Sequence, residues 1–278
     1  MHGCLTSERV NDVLGRSPLW RGVRRVALQI ADVTERTGEF TQADALYYAG
    51  YFEADTGSED MNADVLDVSK LESHGVERAP FLNDVFDEEC ADVLVRHARS
   101  RESAINEYFC HEGGHRLGFA VEDKFDDGHF VASGGPDRDA ISVEEFRADM
   151  HSFDVALDAL PVELAAGVFR YHLAHRFGIA AFAARTGTPG AGLVPYLLYC
   201  ALRTLRLLEV TCVGSRPRLH LGLSDAACAE AMRVCARHAE LAITNRELEG
   251  DRVARAYVDE RMKSARLRHE YRTLFAGN

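Results

Sequence analysis

Apolar positions in this chain recur mostly at steps of three and four, the spacing that lines one face of a helix. Ser7 to Leu14 predicts a short capped helix. Val23, Val26, Ala27, Ile30 and Val33 predict a helical face within Trp20 to Thr37, and Thr41 then caps a helix through about Asp55. Thr56 to Asn62 reads as a loop. Val65 to Phe86 has a helical bias, interrupted at Gly75 and Pro80, and Cys90 to Tyr108 predicts another helix. Asp123 to Asp139 is acidic and glycine-rich, a loop or short hairpin. Ser142-x-x-Glu145 has the form of a capping box opening a helix to about Leu160, and Pro161 suits the first turn of the next. The clearest stripe follows: Leu164, Val168, Tyr171, His175, Ile179 and Phe182 share one face, with a glycine-rich loop and a second apolar helix to about Val210 behind them. Gly214 to Gly222 is a break, Ser224 opens a helix to about Asn245, and Arg252 to Phe275 forms a charged final helix. Alternating β-branched runs are nearly absent. The expectation is one all-α domain over residues 1–278, less regular at about 110–140.

Composition narrows the setting. The 278 residues are 46% hydrophobic, enough for a substantial core, and the formal charge of −12 disfavours nucleic acid or an anionic membrane as the main partner. The seven cysteines, Cys4, Cys90, Cys110, Cys200, Cys212, Cys228 and Cys235, match no zinc or disulfide framework and fit a reducing cytoplasm. The N-terminal stretch has no apolar signal core, and no run is long enough to span a membrane, so a cytoplasmic chain is expected.

Two stretches carry candidate chemistry. His111-Glu112-Gly113-Gly114-His115 is an HExxH, which on a helix sets two imidazoles on one face for zinc and a glutamate as general base. Against it, two adjacent glycines cost a helix roughly 1 kcal/mol each relative to alanine. The position where one zincin group has its third histidine is Val121, leaving Glu122, Glu144 and Glu145 as substitutes without a specific claim. A ferritin-like di-iron site needs two Glu-x-x-His sets, and only Glu112-x-x-His115 is convincing.

The second stretch lies within Pro161 to Tyr199. Phe169-Arg170-Tyr171, His175-Arg176, Arg185 to Gly192 and Tyr196-Leu197-Leu198 follow one another there. In this order and spacing the chain resembles the tryptophan 2,3-dioxygenase-like haem proteins over about forty residues. The resemblance implies a helical bundle holding haem b between helices, with His175 as proximal iron ligand and Arg176, Thr186 and Gly187 beside the cofactor. It implies a mobile loop from Thr186 to Gly192, with Thr188 and Gly190 near the substrate. A weaker match, Ala45 to Tyr51 followed by His74-Gly75-Val76-Glu77, implies His74 as the distal catalytic histidine. The family's longer aromatic distal helix and its substrate-binding arginine segment have no recognisable counterpart here, and Arg116 is the candidate stand-in for that arginine.

The resemblance thus implies oxygenation of an aromatic amino acid, above all hydroxylation of L-tyrosine to 3,4-dihydroxyphenylalanine, with hydrogen peroxide or dioxygen as oxidant, in a homo-oligomer. The alternatives are indole-ring dioxygenation on the same fold, a zinc hydrolase built on His111-Glu112-x-x-His115, and a helical interaction protein whose histidines are incidental.

Overall fold

The computed structural model describes residues 3–21, 25–31, 45–48, 63–119, 124, 127–132, 135–187 and 192–275. It is mainly helical, with small sheets only. Helix α1 (Ser7–Leu14) is capped by the Thr6 side chain. Strands β1 (Leu28–Ala31), β2 (Ala45–Tyr48) and β3 (Ala63–Asp67) form one sheet in the order β1-β3-β2, parallel on one side of β3 and antiparallel on the other. The helical readings across Ile30, Leu46 and Val65 are therefore corrected: Ile30 stands in register with Leu66 and Leu46 with Val65 across the strands, and the rest of the predicted helix from Thr41 lies outside the described residues.

Asp67 ends the sheet and caps α2 (Val68–Arg78). A single 3₁₀ stretch, Ala79–Asp84, carries Pro80 in its first turn and leads to α3 (Glu88–Ala98), capped by Asp87. Ser100 caps α4 (Arg101–His115), so the helix predicted from Cys90 to Tyr108 is two. A small β4–β5 hairpin (Val131–Ala132 with Gly135–Pro136) precedes α5 (Arg138–Ala159). Asp137, accepting from the Asp139 and Ala140 amides, caps α5. Ser142 and Glu145 thus lie inside the helix, and the capping-box reading is overturned.

Helix α6 (Val162–Thr186) ends where Gly187 adopts φ 69°, a left-handed conformation that suits glycine at a helix terminus. Pro161 stands just before its first turn. Then come α7 (Val194–Thr204), the antiparallel hairpin β6 (Glu209–Val213) and β7 (Arg216–His220), α8 (Asp225–Ala239), a wide turn over Glu240–Thr244, α9 (Asn245–Leu248), α10 (Ala254–Lys263) and α11 (Ala265–Phe275). The hairpin replaces the predicted helical tail to Val210 and the break after it.

Helices α4, α5 and α6 are covered on nearly all sides and make the centre. α4 packs on both α5 and α6, while α8 covers α5 and α6 from outside. Phe146, Phe153, Phe169 and Phe177 are fully buried there, each worth about 1.5–3 kcal/mol of apolar transfer. The buried side chains form one contiguous core. All seven cysteines are free, and among the described residues no helix is long and apolar enough to cross a membrane.

Candidate metal centre

The three central helices each present polar residues four apart, on faces directed at one another: His111 and His115 on α4, Glu145 and Asp149 on α5, His172 and Arg176 on α6. They meet beside a cavity of about 260 Å³ lined by Leu71 of α2, Glu107, Tyr108, His111, Glu112 and His115 of α4, Glu145 of α5, and Tyr171, His175 and Arg176 of α6.

The two adjacent glycines allow this meeting. A Cβ on Gly114 would lie 2.2 Å from the Ala148 carbonyl oxygen, and one on Gly113 would lie 3.0 Å from Val10 Cγ1. Glycine here brings α4 onto α5 so closely that Glu145 reaches the histidines. The helix cost read from the sequence is offset by this packing.

His111 Nε2 stands 3.1 Å from His115 Nε2. Glu145 completes a triangle, its Oε2 3.5 Å from His111 Nε2 and its Oε1 3.7 Å from His115 Nε2. Donors bound at about 2.0–2.1 Å to a tetrahedral zinc lie roughly 3.3 Å apart, and two histidines with one glutamate are a donor set of catalytic zinc sites.

Each imidazole is held from behind. His111 Nδ1 donates to Asp149 Oδ1 at 2.9 Å, and His115 Nδ1 to Glu144 Oε1 at 3.0 Å. With both Nδ1 positions turned to carboxylates, the two Nε2 atoms face each other and Glu145, and in the metal-free chain the proton held by His111 supplies the positive charge that a metal ion would replace. Carboxylates behind histidine ligands are the usual arrangement for fixing ring orientation and tautomer.

The charge behind the triad is arranged in two buried groups. Asp149 Oδ1 also accepts from Arg176 Nη2 at 2.6 Å, and its Oδ2 lies 3.6 Å from His172 Nε2. His172 Nδ1 in turn donates to Glu107 Oε1 at 2.9 Å. Glu144 accepts from Arg147 Nη2 at 2.6 Å and from Lys124, which also donates to Glu247 at 2.8 Å. Carboxylates thus outnumber the arginine and lysine side chains around the triad, and His111 is drawn toward its charged form in response.

These contacts set the protonation states. Burial would raise the Asp149 carboxyl, but Arg176 and His172 outweigh it and hold it well below the usual range. Burial would likewise raise Glu145, and the bond to His111 brings it down to about 2. For His111, burial lowers the imidazole, yet Asp149 and Glu145 raise it well above its ordinary value in the metal-free chain.

Glu112 follows His111 and lines the cavity with no hydrogen bond or ion pair to another described residue. His175 lines it too, its ring stacked on Tyr171 with centroids 5.9 Å apart. Burial and the nearby Arg176 push its imidazole down to about 3. His74 on α2 and Arg116, which caps the C-terminus of α4, are not among the lining residues. Thr186 is the last residue of α6 and donates to the Phe182 carbonyl, next to the Gly187 cap. Thr188, Gly190 and Glu122 lie outside the described residues.

Haem does not suit the cavity as the described residues line it. At about 260 Å³ it is below the roughly 300–1,000 Å³ of pockets for drug-sized ligands. Its walls are mostly charged or polar, where a porphyrin needs broad apolar faces.

Asp149, Glu107 and His172 are the residues of this cluster that the sequence reading did not single out, while Glu145 stood among three substitute ligands without a specific claim. The spacing Glu145-x-x-x-Asp149 was the available signal, one carboxylate for the ion and one for the ring behind it. Among the described residues two other groups place donor atoms within 4.8 Å: Glu107, Asp149 and His172, and Asp87, Cys90 and His220. Arg176 already supplies a cation to the first. In the second, Asp87 caps α3 and accepts from His220 at 2.6 Å, a hydrogen bond. No protein-family model matches the chain, and no curated protein matches it in sequence.

Proposed function

We propose that this chain is a zinc-dependent hydrolase, with His111, His115 and Glu145 as ligands and Glu112 as general base. The observation that carries the reading is the convergence of two Nε2 atoms and one carboxylate at roughly tetrahedral spacing, each imidazole backed by a buried carboxylate. Bound zinc supplies Lewis acidity toward an acyl oxygen and lowers the pKa of water at its open position.

The chain's own groups then account for the proton movements. Glu112 takes a proton as the water oxygen bonds to the acyl carbon. It delivers that proton to the leaving nitrogen or oxygen as the bond to the acyl carbon breaks, so acid, amine or alcohol leave with the atoms balanced. Arg176, fixed through Nη2 by Asp149, presents its guanidinium at the cavity wall, where it can donate to the acyl oxygen as charge grows there.

The test is metal content and hydrolysis together. Wild-type protein should carry one zinc per chain and cleave members of a chromogenic amide and ester panel. Glu112→Gln should keep the zinc and lose about 10²–10⁴-fold in rate. Zinc absent from the wild type, or activity undiminished in Glu112→Gln, overturns the proposal. The competing oxygenase reading rests on His175 and separates by colour. It requires a Soret band in protein supplied with haem, lost in His175→Ala; the hydrolase reading predicts a colourless protein and unchanged zinc in that variant.

A further inference from the structure

Glu107, His111 and His115 stand four residues apart in succession, on one face of α4. Glu107 therefore sits one turn, about 6 Å, along the helix from His111. Its carboxylate is anchored on one side only: Oε1 accepts from His172 Nδ1 at 2.9 Å, while Oε2 makes no hydrogen bond to another described residue. The side chain is 9% exposed, and it lines the cavity. Burial raises its carboxyl, but the bond from His172 outweighs that and keeps it below the usual range.

Arg176, which lines the same cavity, is engaged at 2.6 Å by Asp149, so the second oxygen of Glu107 can accept from a cationic group of a ligand. Tyr108 and Tyr171 line the cavity together with Glu107, and aromatic faces favour an ammonium group. The cavity is small and bounded by Leu71 of α2, which fits the end of a molecule better than the middle of a chain.

We propose that Glu107 binds the free amino group of the substrate, which makes the substrate class compounds with a primary amine on the carbon next to the scissile carbonyl. This rests on the hydrolase reading. The dimensions are compatible: with the carbonyl at the His111–His115–Glu145 triangle, an amine about 2.5 Å from the carbonyl carbon and a hydrogen bond of about 2.9 Å to a carboxylate together span about one helical turn. That is the offset of Glu107 from His111.

The experiment uses the full chain loaded with cobalt, whose visible spectrum reports ligands at the metal. Leucine hydroxamate and N-acetyl-leucine hydroxamate are titrated against wild type and Glu107→Gln, which keeps an oxygen for His172. The expected result is binding of the free-amine compound at least about 10-fold tighter than the acetylated one, and loss of that preference in Glu107→Gln; a charge-assisted hydrogen bond corresponds to about 10–100-fold. Equal binding of the two, a preference that survives Glu107→Gln, or cobalt bound with neither compound registering overturns this inference and leaves the metal reading standing. Failure of the wild type to bind cobalt at all overturns both.

Discussion

Gly114 of α4 faces the backbone of Ala148 on α5 so closely that a Cβ would lie 2.2 Å from the carbonyl oxygen. The obstacle is main chain, which cannot rotate away. In an exposed helix Gly→Ala gains about 1 kcal/mol. Here Gly114→Ala should instead destabilise by about 1–3 kcal/mol, the usual cost of overpacking. It should also separate α4 from α5 and move Glu145 away from the histidines. Thermal unfolding and zinc content measured together check this. A variant more stable than wild type, with zinc retained, would show that the helices do not approach as described.

Helical character was legible because α6 and α8 carry clear apolar stripes, and the capping residues Ser100, Asp137 and Ser224 are of the expected types. The small sheet was not. Its strands are four or five residues long, too short a window for an apolar period to separate strand from helix, and Val26 and Ile30 stand at helical spacing. HEGGH was legible as a motif, yet its glycines read as helix breakers because their reason lies in α5, more than thirty residues on. Glu145 was visible in the sequence as one of three possible third ligands and was also assigned to a cap, whereas the true cap, Asp137, lies eight residues earlier. No local rule reveals that His175 and HEGGH line one cavity, since that depends on how α4 and α6 pack.

Ligands and their supports should separate by severity. His111→Ala, His115→Ala and Glu145→Ala each remove a donor, and stoichiometric zinc should be lost after dialysis. Asp149→Asn keeps the shape but weakens the hold on His111 Nδ1 and on Arg176, and should cost about 10–100-fold in zinc affinity. Competition with a chromophoric chelator gives the affinities. An Asp149→Asn protein binding zinc as tightly as wild type would remove Asp149 from the site.

Zinc binding should weaken as pH falls. In the metal-free chain, burial lowers His111, but Asp149 and Glu145 raise it well above the ordinary value. Its charged form therefore stabilises the metal-free fold below an unfolded value of about 6.5, and that contribution is lost as pH rises through the raised folded value. The metal must displace this proton, so affinity should drop up to about tenfold per pH unit for each proton released, from the raised value downward. Above it, zinc takes the proton's place as counter-charge to the carboxylates. Titration calorimetry near neutral pH, in buffers differing in ionisation enthalpy, counts the protons. Heats independent of buffer would mean His111 is already neutral in the metal-free chain.

Glu144 links the metal site to the stability of the fold. Arg147 is 0% exposed, and Glu144 is the carboxylate it is bonded to, through both Nε and Nη2, while Lys124 divides itself between Glu144 and Glu247. Removing one partner of a buried pair leaves the other charge uncompensated, so Glu144→Ala should cost about 3–5 kcal/mol. Glu247→Ala, which leaves Glu144 to both cations, should cost clearly less. Burial raises the Glu144 carboxyl, but Arg147 and Lys124 outweigh it and hold it well below its ordinary value. The stability it contributes is therefore complete above an unfolded value of about 4.3 and is lost as pH falls through the depressed folded value. Asp149, depressed by Arg176 and His172 against the pull of burial, acts in the same sense. Urea midpoints should hold steady at mildly acidic pH and fall steeply below about 4.3, with a shallower fall in Glu144→Gln because one of the depressed carboxyls is gone. The same slope in wild type and Glu144→Gln would mean that acid acts elsewhere, and that Arg147 is not held by this carboxylate.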